Sequence, residues 1–577
     1  MNFLKKYLHK KNLINILFFG VVLLVLGPML LPGYILTLDM AWSTELGFRW
    51  VADGFNNSLP LYALFYTLGT IFPSWVVQKL MLIALFFLLL YVPYRFIPFV
   101  ELHAARVFAG LVYALNPFVY SRMLAGQWGV LLGYALLPLL LYGLVKFVEK
   151  PDRKTSLCLA GALLLVGSVS IHFLYIGILI SLVWLGVHMC DFVVSKNYSQ
   201  LRLLLRFSLL AGVVFVVVST YWLVPALLRE SPLEARFDTA HFEGFSASSN
   251  DVVPTPLNLA VLGGFWAEDM EWRYYFVWPQ DSYLFWFSAV VLFVFIAFGF
   301  AALLRDTSTR FRTLLLLGID IISSVLAFGA WGGMFSSLNL WLYMHMPGWT
   351  GLRDSHKVIG VLGLVYALLA GVGFGKLLQY IQEGKKHFTF VIPVLFMVPV
   401  LFGMHRWNGF HGQLEPVWYP DSWFEARALV EQSSEEEKVL VLPWRGYFSL
   451  SFANQLIVSN PAPEFFGTDR VYAGKSVEVG EVYDQETDPV YRELDTLLQT
   501  AITLSPEALL SAYRAHNVRY ILVIDNNAVE DKNSWYIPPV GTESAQNMTD
   551  DGDILDTLLS VPNTQLLEGE INLFYIK

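Results

Sequence analysis

Residues 12–45 read NLINILFFGVVLLVLGPMLLPGYILTLDMAWSTE. A helix that crosses a bilayer needs about 20 mostly apolar residues, and 13–36 supplies them. The run follows Lys5, Lys6, Lys10 and Lys11. It is too long for a signal-peptide core and lacks a small-residue cleavage site, so it reads as an uncleaved first span with a cytoplasmic N-terminus. LTLDMAWSTE (36–45) then leaves the membrane and places a carboxylate, Asp39, within about one helical turn of the outer face.

Ten further apolar runs follow, near 75–95, 104–121, 126–147, 156–171, 173–191, 203–227, 283–303, 311–330, 357–380 and 387–404. The expectation is a polytopic α-helical membrane protein with about eleven spans. Composition agrees. Of 577 residues only 15% are charged and 56% are hydrophobic, against roughly 25% charged in a soluble domain. A soluble globule could not hide that surface, which excludes a soluble enzyme and a disordered chain. The net charge of −9, without a basic tail, excludes a nucleic-acid partner. Cys158 and Cys190 lie in apolar segments, so no disulfide framework is legible.

Threading eleven spans from a cytoplasmic start puts Arg95 and Arg106, Lys146 to Lys154, Lys196 to Arg206, Arg305 to Arg312 and Lys376 to Lys386 inside. The alternate loops are mostly acidic, so the protein is expected in the plasma membrane with its C-terminal part extracytoplasmic. Two outer loops are long, 37–74 and 228–282. Their short apolar stretches, 58–73 and 257–266, suit interfacial or re-entrant helices. The helical membrane domain is expected over 1–410, and a soluble α/β domain over 411–577. SSEEEKVLVLPW (433–444) reads as a strand entering a turn. SPEALLSAYRAHNVRYILVIDN (505–526) reads as a helix N-capped by Ser505, then a strand, and NLFYIK (572–577) as a closing strand.

Charged groups near the bilayer are expensive and therefore informative. Asp39 could be a general base beside a lipid headgroup, or the N-cap of an interfacial helix. In LNPFVYSRMLAGQWGVLLGYALLPLL (115–140), Asn116-Pro117 breaks a helix and brings Arg122 and Gln127 outward. Arg122 could clamp a phosphate or merely snorkel. In MPGWTGLRDSHKVIG (346–360), Arg353, Asp354, His356 and Lys357 crowd a helix start. Cations there oppose the helix dipole, so they await an anion or pair internally with Asp354. WAEDMEWRYYFVWPQDS (266–282) interleaves acids and aromatics, as sugar sites and plain wet loops both do. Glu268 and Asp269, with Asp39, could also supply oxygen ligands to a divalent metal. His172 sits at an outer turn, and Asp320 lies inside the ninth run.

Together these features resemble the GT-C superfamily of polyprenyl-phosphate-sugar-dependent membrane glycosyltransferases. YALNPFVYSRMLAGQWGVLLGYALLPLLLYGL (113–144) and GWTGLRDSHKV (348–358) look like arabinofuranosyltransferase-like members. The resemblance implies transfer of a sugar, with inversion, from a polyprenyl-phosphate donor to a glycan or lipid-linked acceptor on the outer face. It implies Asp39 as base and Arg122, Arg353 and Lys357 at the donor phosphate. Gln127, His172, Glu268, Asp269, Asp354 and His356 would bind substrate. Many members carry an acidic pair in the first loop, whereas Met40 follows Asp39 here, and the WWDYG motif of oligosaccharyltransferases is absent. The competing expectation is a non-enzymatic flippase for lipid-linked glycans or an envelope-assembly scaffold. Flipping wants a charged path through the bundle, and only Asp320 offers one.

Overall fold

The computed structural model describes residues 11–47, 56–228, 237–247, 253–268, 279–331, 333–384, 390–454, 456–474, 478–479, 482–483, 488–500, 504–524, 559–568 and 571–577. Asp269, Glu271, Trp272 and Trp278 lie outside them.

Among the described residues, the expected apolar runs all hold helices. They are α1 (Lys11–Leu26), α2 (Leu59–Gly69, the short apolar helix of the first loop), α3 (Ser74–Phe96), α4 (His103–Ala114), α5 (Pro117–Leu124), α6 (Trp128–Glu149), α7 (Arg153–Gly167), α8 (Ile171–Val194), α9 (Tyr198–Val218), α10 (Tyr283–Arg305), α11 (Thr307–Ala327), α12 (Ile359–Gly384) and α13 (Val391–Phe402). Among the described residues, seven helices are long and apolar enough to cross a membrane, or nine if each bent pair is one span. The bent pairs are α4 with α5, at 42°, and α13 with 404–411, at 65°.

The expected eleven therefore exceeds the count by two, for physical reasons. The 15 residues of α7 extend only about 22 Å at 1.5 Å per residue. Helix α11 carries Arg310, Arg312 and Asp320. Both still run from one end of the bundle to the other. Arg312 at the start of α11 pairs with Glu149 at the end of α6, at 2.8 Å, while Ala327 at its far end accepts from Ser355 Oγ at 2.9 Å. Helix α7 ends at Gly167, whose carbonyl accepts from Asn57 in the first long loop.

Breaks fall where local chemistry puts them. Asn116 accepts from the Val119 amide at 3.2 Å and caps α5, and Pro117 follows at a position that needs no amide proton. Ser170 caps α8 in the same way. Helix α12 is the most buried span. It crosses α10 at Gly299 and Gly373, where an added Cβ would meet the Leu369 carbonyl oxygen at 1.9 Å and the Phe295 carbonyl oxygen at 2.1 Å. Backbone contact through small residues is how helices pack tightly in lipid.

The C-terminal region holds a five-stranded sheet, ordered β4 (Val471–Tyr472), β1 (Lys438–Leu442), β7 (Val518–Ile524), β9 (Ile571–Ile576), β8 (Asn563–Leu567). Strand β1 is parallel to β4 and β7, and β9 is antiparallel to β7 and β8. Alternation along β1 sorts its side chains. Leu440 and Leu442 pack with Leu509 and Tyr513 of the helix Pro506–Ala515, which Ser505 caps. Val439 and Val441 join the core that continues into the helical bundle. Of two smaller antiparallel pairs, β5 (Glu478–Val479) with β6 (Val482–Tyr483) and β2 (Tyr447–Ser449) with β3 (Ile457–Ser459), the second reaches the first long loop. Leu38 bonds on both sides of β3: its amide donates to Ile457 O at 2.7 Å and its carbonyl accepts from the Ser459 amide at 2.6 Å. Tyr34 and Val417 exchange backbone bonds of 2.7 and 2.8 Å.

Candidate active site

Asp39 stands on a turn held from four directions. Met40 N donates to Thr37 O at 2.6 Å and closes the turn. Gln78 of α3 accepts from the Ile35 amide and donates to its carbonyl, each at 2.8 Å. Thr37 Oγ1 donates to Leu124 O at 2.7 Å, and Asp39 N donates to Ala125 O at 3.1 Å. Strand β3 holds the fourth side. Gly126, at φ +70°, lets the α5–α6 turn touch this loop, because a Cβ there would lie 2.4 Å from Thr37 O and 2.5 Å from Met40 N. The loop residues 33–38 and 40 are buried while Asp39 is exposed. Asp39 caps no helix, so the capping alternative drops out.

Its carboxylate is gripped through both oxygens. Gln127 Nε2 donates to Oδ2 at 2.9 Å and the Tyr447 hydroxyl donates to Oδ1 at 2.8 Å. Burial first, then the charge of Asp39, pushes the Tyr447 phenol well above its ordinary value. It therefore stays protonated and remains a donor. The other end of the Gln127 amide accepts from Arg122 Nη1 at 2.6 Å. One amide thus bridges carboxylate and cation, and the two bonds place the Asp39 carboxylate within about 8 Å of the guanidinium.

Arg122 does not reach out to a phosphate. It has 0% exposure. Both terminal nitrogens bond Asp354, Nη2 at 2.8 Å, and Nη2 also meets His356 Nδ1 at 3.0 Å. The Phe265 ring lies 4.7 Å from its guanidinium carbon. Asp354 and His356, expected at the substrate, are likewise buried in this network. Burial alone would raise the Asp354 carboxyl, but Arg122 and Lys357 outweigh it and hold it well below the usual carboxylate range. Lys357 Nζ lies 3.8 Å from Asp354 Oδ2, at ion-pair rather than hydrogen-bond distance, and it also feels Asp39 and Arg353.

The remaining candidates divide. Arg353 lies over Phe237 at 3.9 Å and Phe245 at 5.0 Å, within electrostatic reach of Lys357 and Tyr447. His172 is half-buried at the start of α8, with Arg353, Asp354 and Lys357 acting on it. Glu268 turns inward. It accepts from Asn258 Nδ2 at 2.8 Å and from the amides of Gly264 and Phe265 at 3.1 and 3.2 Å. That arrangement shapes the loop that sets Phe265 on Arg122. Among the described residues no three His, Cys, Asp or Glu side chains converge as a metal site would require. Nothing in the sequence singles out Tyr447, which lies three residues past the stretch 433–444 that reads as a strand entering a turn.

Two solved structures of the arabinofuranosyltransferase AftD from Mycobacteria superpose on 97% of this chain, with TM-scores of 0.61 and 0.57 and 15% identity. The likeness to AftD is one of fold. This chain spans 40% and 41% of the length of those AftD structures. The oligosaccharyltransferase AglB from Archaeoglobus fulgidus matches more loosely, with a TM-score of 0.42, 10% identity, and coverage of 90% of this chain and 70% of that one. No argument rests on that overlap. No protein-family model matches the sequence, and no curated protein does. The shared fold is a polytopic helical bundle with a small C-terminal sheet region.

Proposed function

We propose that this chain is an integral membrane glycosyltransferase that moves a sugar from a polyprenyl-phosphate donor to a glycan or lipid-linked acceptor, with inversion. One observation carries the reading: Asp39 is the exposed carboxylate of an otherwise buried loop, oriented through both oxygens and bridged by one amide to a buried cation network. A carboxylate that merely soothed a helix end would need no such mounting. The likeness to an arabinofuranosyltransferase favours a pentofuranosyl donor. The face bearing Asp39 and the sheet is assigned as extracytoplasmic, because Lys146, Lys150, Arg153 and Lys154 gather at the opposite end.

In this mechanism Asp39 takes the proton of an acceptor hydroxyl as its oxygen attacks the anomeric carbon. The bond from that carbon to the phosphate oxygen breaks, and polyprenyl phosphate leaves as an anion. Lys357 and Arg353 stabilise the charge that develops on it. Arg122 works at one remove, by fixing Gln127 and through it the carboxylate. General-base help of this kind contributes typically 10²–10⁴-fold. The test offers the purified full chain prenyl-phosphoryl arabinofuranose and prenyl-phosphoryl hexoses with lipid-linked glycan acceptors. Asp39→Asn is expected to keep the fold and lose transfer by about that factor. Transfer at the wild-type rate would reject Asp39 as the base.

A further inference from the structure

Helix α5 has a second basic neighbour on its opposite side. Tyr120 and Arg122 are two residues apart, about 200° around the helix. Arg122 turns to Asp354. Tyr120 turns to Arg406, whose guanidinium carbon lies 5.9 Å from its ring, and to His405, 6.3 Å away between ring centres. Arg406 is 1% exposed, yet its Nε and Nη2 have no hydrogen-bond partner. The Nδ1 of the neighbouring His405 has none either.

These orphans are not scattered. Nε–H and one Nη2–H point along the same edge of a guanidinium, the edge that meets two oxygens of a phosphate or carboxylate side by side. Arg122 meets Asp354 end-on through Nη1 and Nη2 and leaves only its Nε without a partner, whereas Arg406 has two adjacent donors without one. The charge balance points the same way. His411 and Arg406 are the charged groups acting on His405, and the titratable groups acting on Arg406 are the phenols of Tyr120 and Tyr134. No described carboxylate acts on either residue. A charged donor left buried without an acceptor is strongly unfavourable.

The backbone is built around this spot. Residues 408–412 all have positive φ, between +56° and +75°, although Asn408, Phe410 and His411 are not glycine. Strain of that sort persists where the surroundings over-determine it. The turn sets exposed His411 5.4 Å from half-buried His405, which adjoins Arg406, so cationic or donor groups lead inward from the surface. Gly403 leaves room for the guanidinium, because a Cβ there would come within 2.7 Å of Nη1.

We infer that Arg406 and His405 form a second anion site, across α5 from Asp39, that takes a phosphoryl headgroup. Its position at the end of a bent span suits a membrane lipid, and free phosphate has the same chemistry. The test uses the full chain in nanodiscs of phosphatidylcholine, with and without phosphatidylglycerol, and in detergent with inorganic phosphate. Thermal shift and native mass spectrometry read the binding. Phosphatidylglycerol is expected to stabilise the wild type and stay bound, and Arg406→Gln to weaken that binding at least about tenfold. Should Arg406→Gln misfold, Gly403→Ala and His405→Gln report on the same site and are expected to weaken binding too. A shift with inorganic phosphate alone supports the site and names a soluble anion. A shift only with the lipid supports it and names a headgroup. No shift with either probe, or equal binding by all the folded variants, overturns the inference.

Discussion

Replacing Asp354 by Asn tests whether the cation network is a mounting or an open phosphate clamp. The substitution keeps the shape and one acceptor oxygen but removes the charge facing Arg122. The pair is deeply buried, with side-chain exposures of 0% and 5%. Breaking such a pair from one side costs about 3–5 kcal/mol, because the remaining charge is stranded, whereas replacing both partners with apolar groups is often neutral. Asp354→Asn should therefore unfold well below wild type, and Arg122→Met with Asp354→Leu should recover most of the loss. Unfolding of a membrane protein is commonly irreversible, so the measurement is inactivation half-time at fixed temperature alongside scanning fluorimetry. A fall in unfolding temperature under about 1 °C, too small for a loss of that size, would refute the mounting. So would a double variant as weak as the single one. The pH dependence follows from the same pair. The Asp354 carboxyl is held below its unfolded value, near 3.9, so its contribution is present above that value and disappears as pH falls through the folded one. The gap between wild type and Asp354→Asn should be flat from about pH 8 to pH 5 and narrow only below about pH 4.

Gly126→Ala should lower stability by at least about 1–2 kcal/mol from its left-handed backbone alone. Because the new Cβ would strike Thr37 O, it should also cut transfer at least tenfold, roughly what a small misplacement of the base costs. An unchanged melting profile with full activity would contradict the contact. Tyr447→Phe removes one of the two bonds that orient Asp39 and should lower kcat about tenfold while leaving the donor KM unchanged. A change in KM alone would make Tyr447 a binding group instead.

Much of this architecture was legible because it rests on local signals. Apolar runs of span length gave the helices, Asn116-Pro117 gave the bend, and the short apolar runs within 433–444 and 505–526 gave β1 and β7. The span count came out high where length and charge conflict with hydropathy, in α7 and α11. The site was legible only in part. Asp39 stood out by its place after the first span. The pairing of cations did not, because neighbouring residues on a helix do not face each other. Asp354 turns from Arg353 beside it to Arg122, 232 positions away. Tyr447 is 408 positions from Asp39. Nor could sequence separate Arg122, which has a carboxylate partner, from Arg406, on which no described carboxylate acts.

These long-range contacts give the C-terminal region a chemical part in the site. Three segments meet at Asp39. The turn 37–40 supplies the carboxylate, 125–127 supplies Gln127 and the close glycine, and 447–459 supplies Tyr447 and the strand that bonds both sides of Leu38. The first two belong to the helical bundle and the third does not. Without the third, Leu38 would lose both of its strand bonds and Asp39 would keep only the Gln127 amide. The bundle could still form, since its core is apolar and continuous, but the carboxylate could rotate about its own side chain. Orienting a base is worth little to folding and much to catalysis. A sheet that bonds to the loop beside the base, and sends one phenol to it, therefore belongs to the proposed reaction centre as much as the helices do.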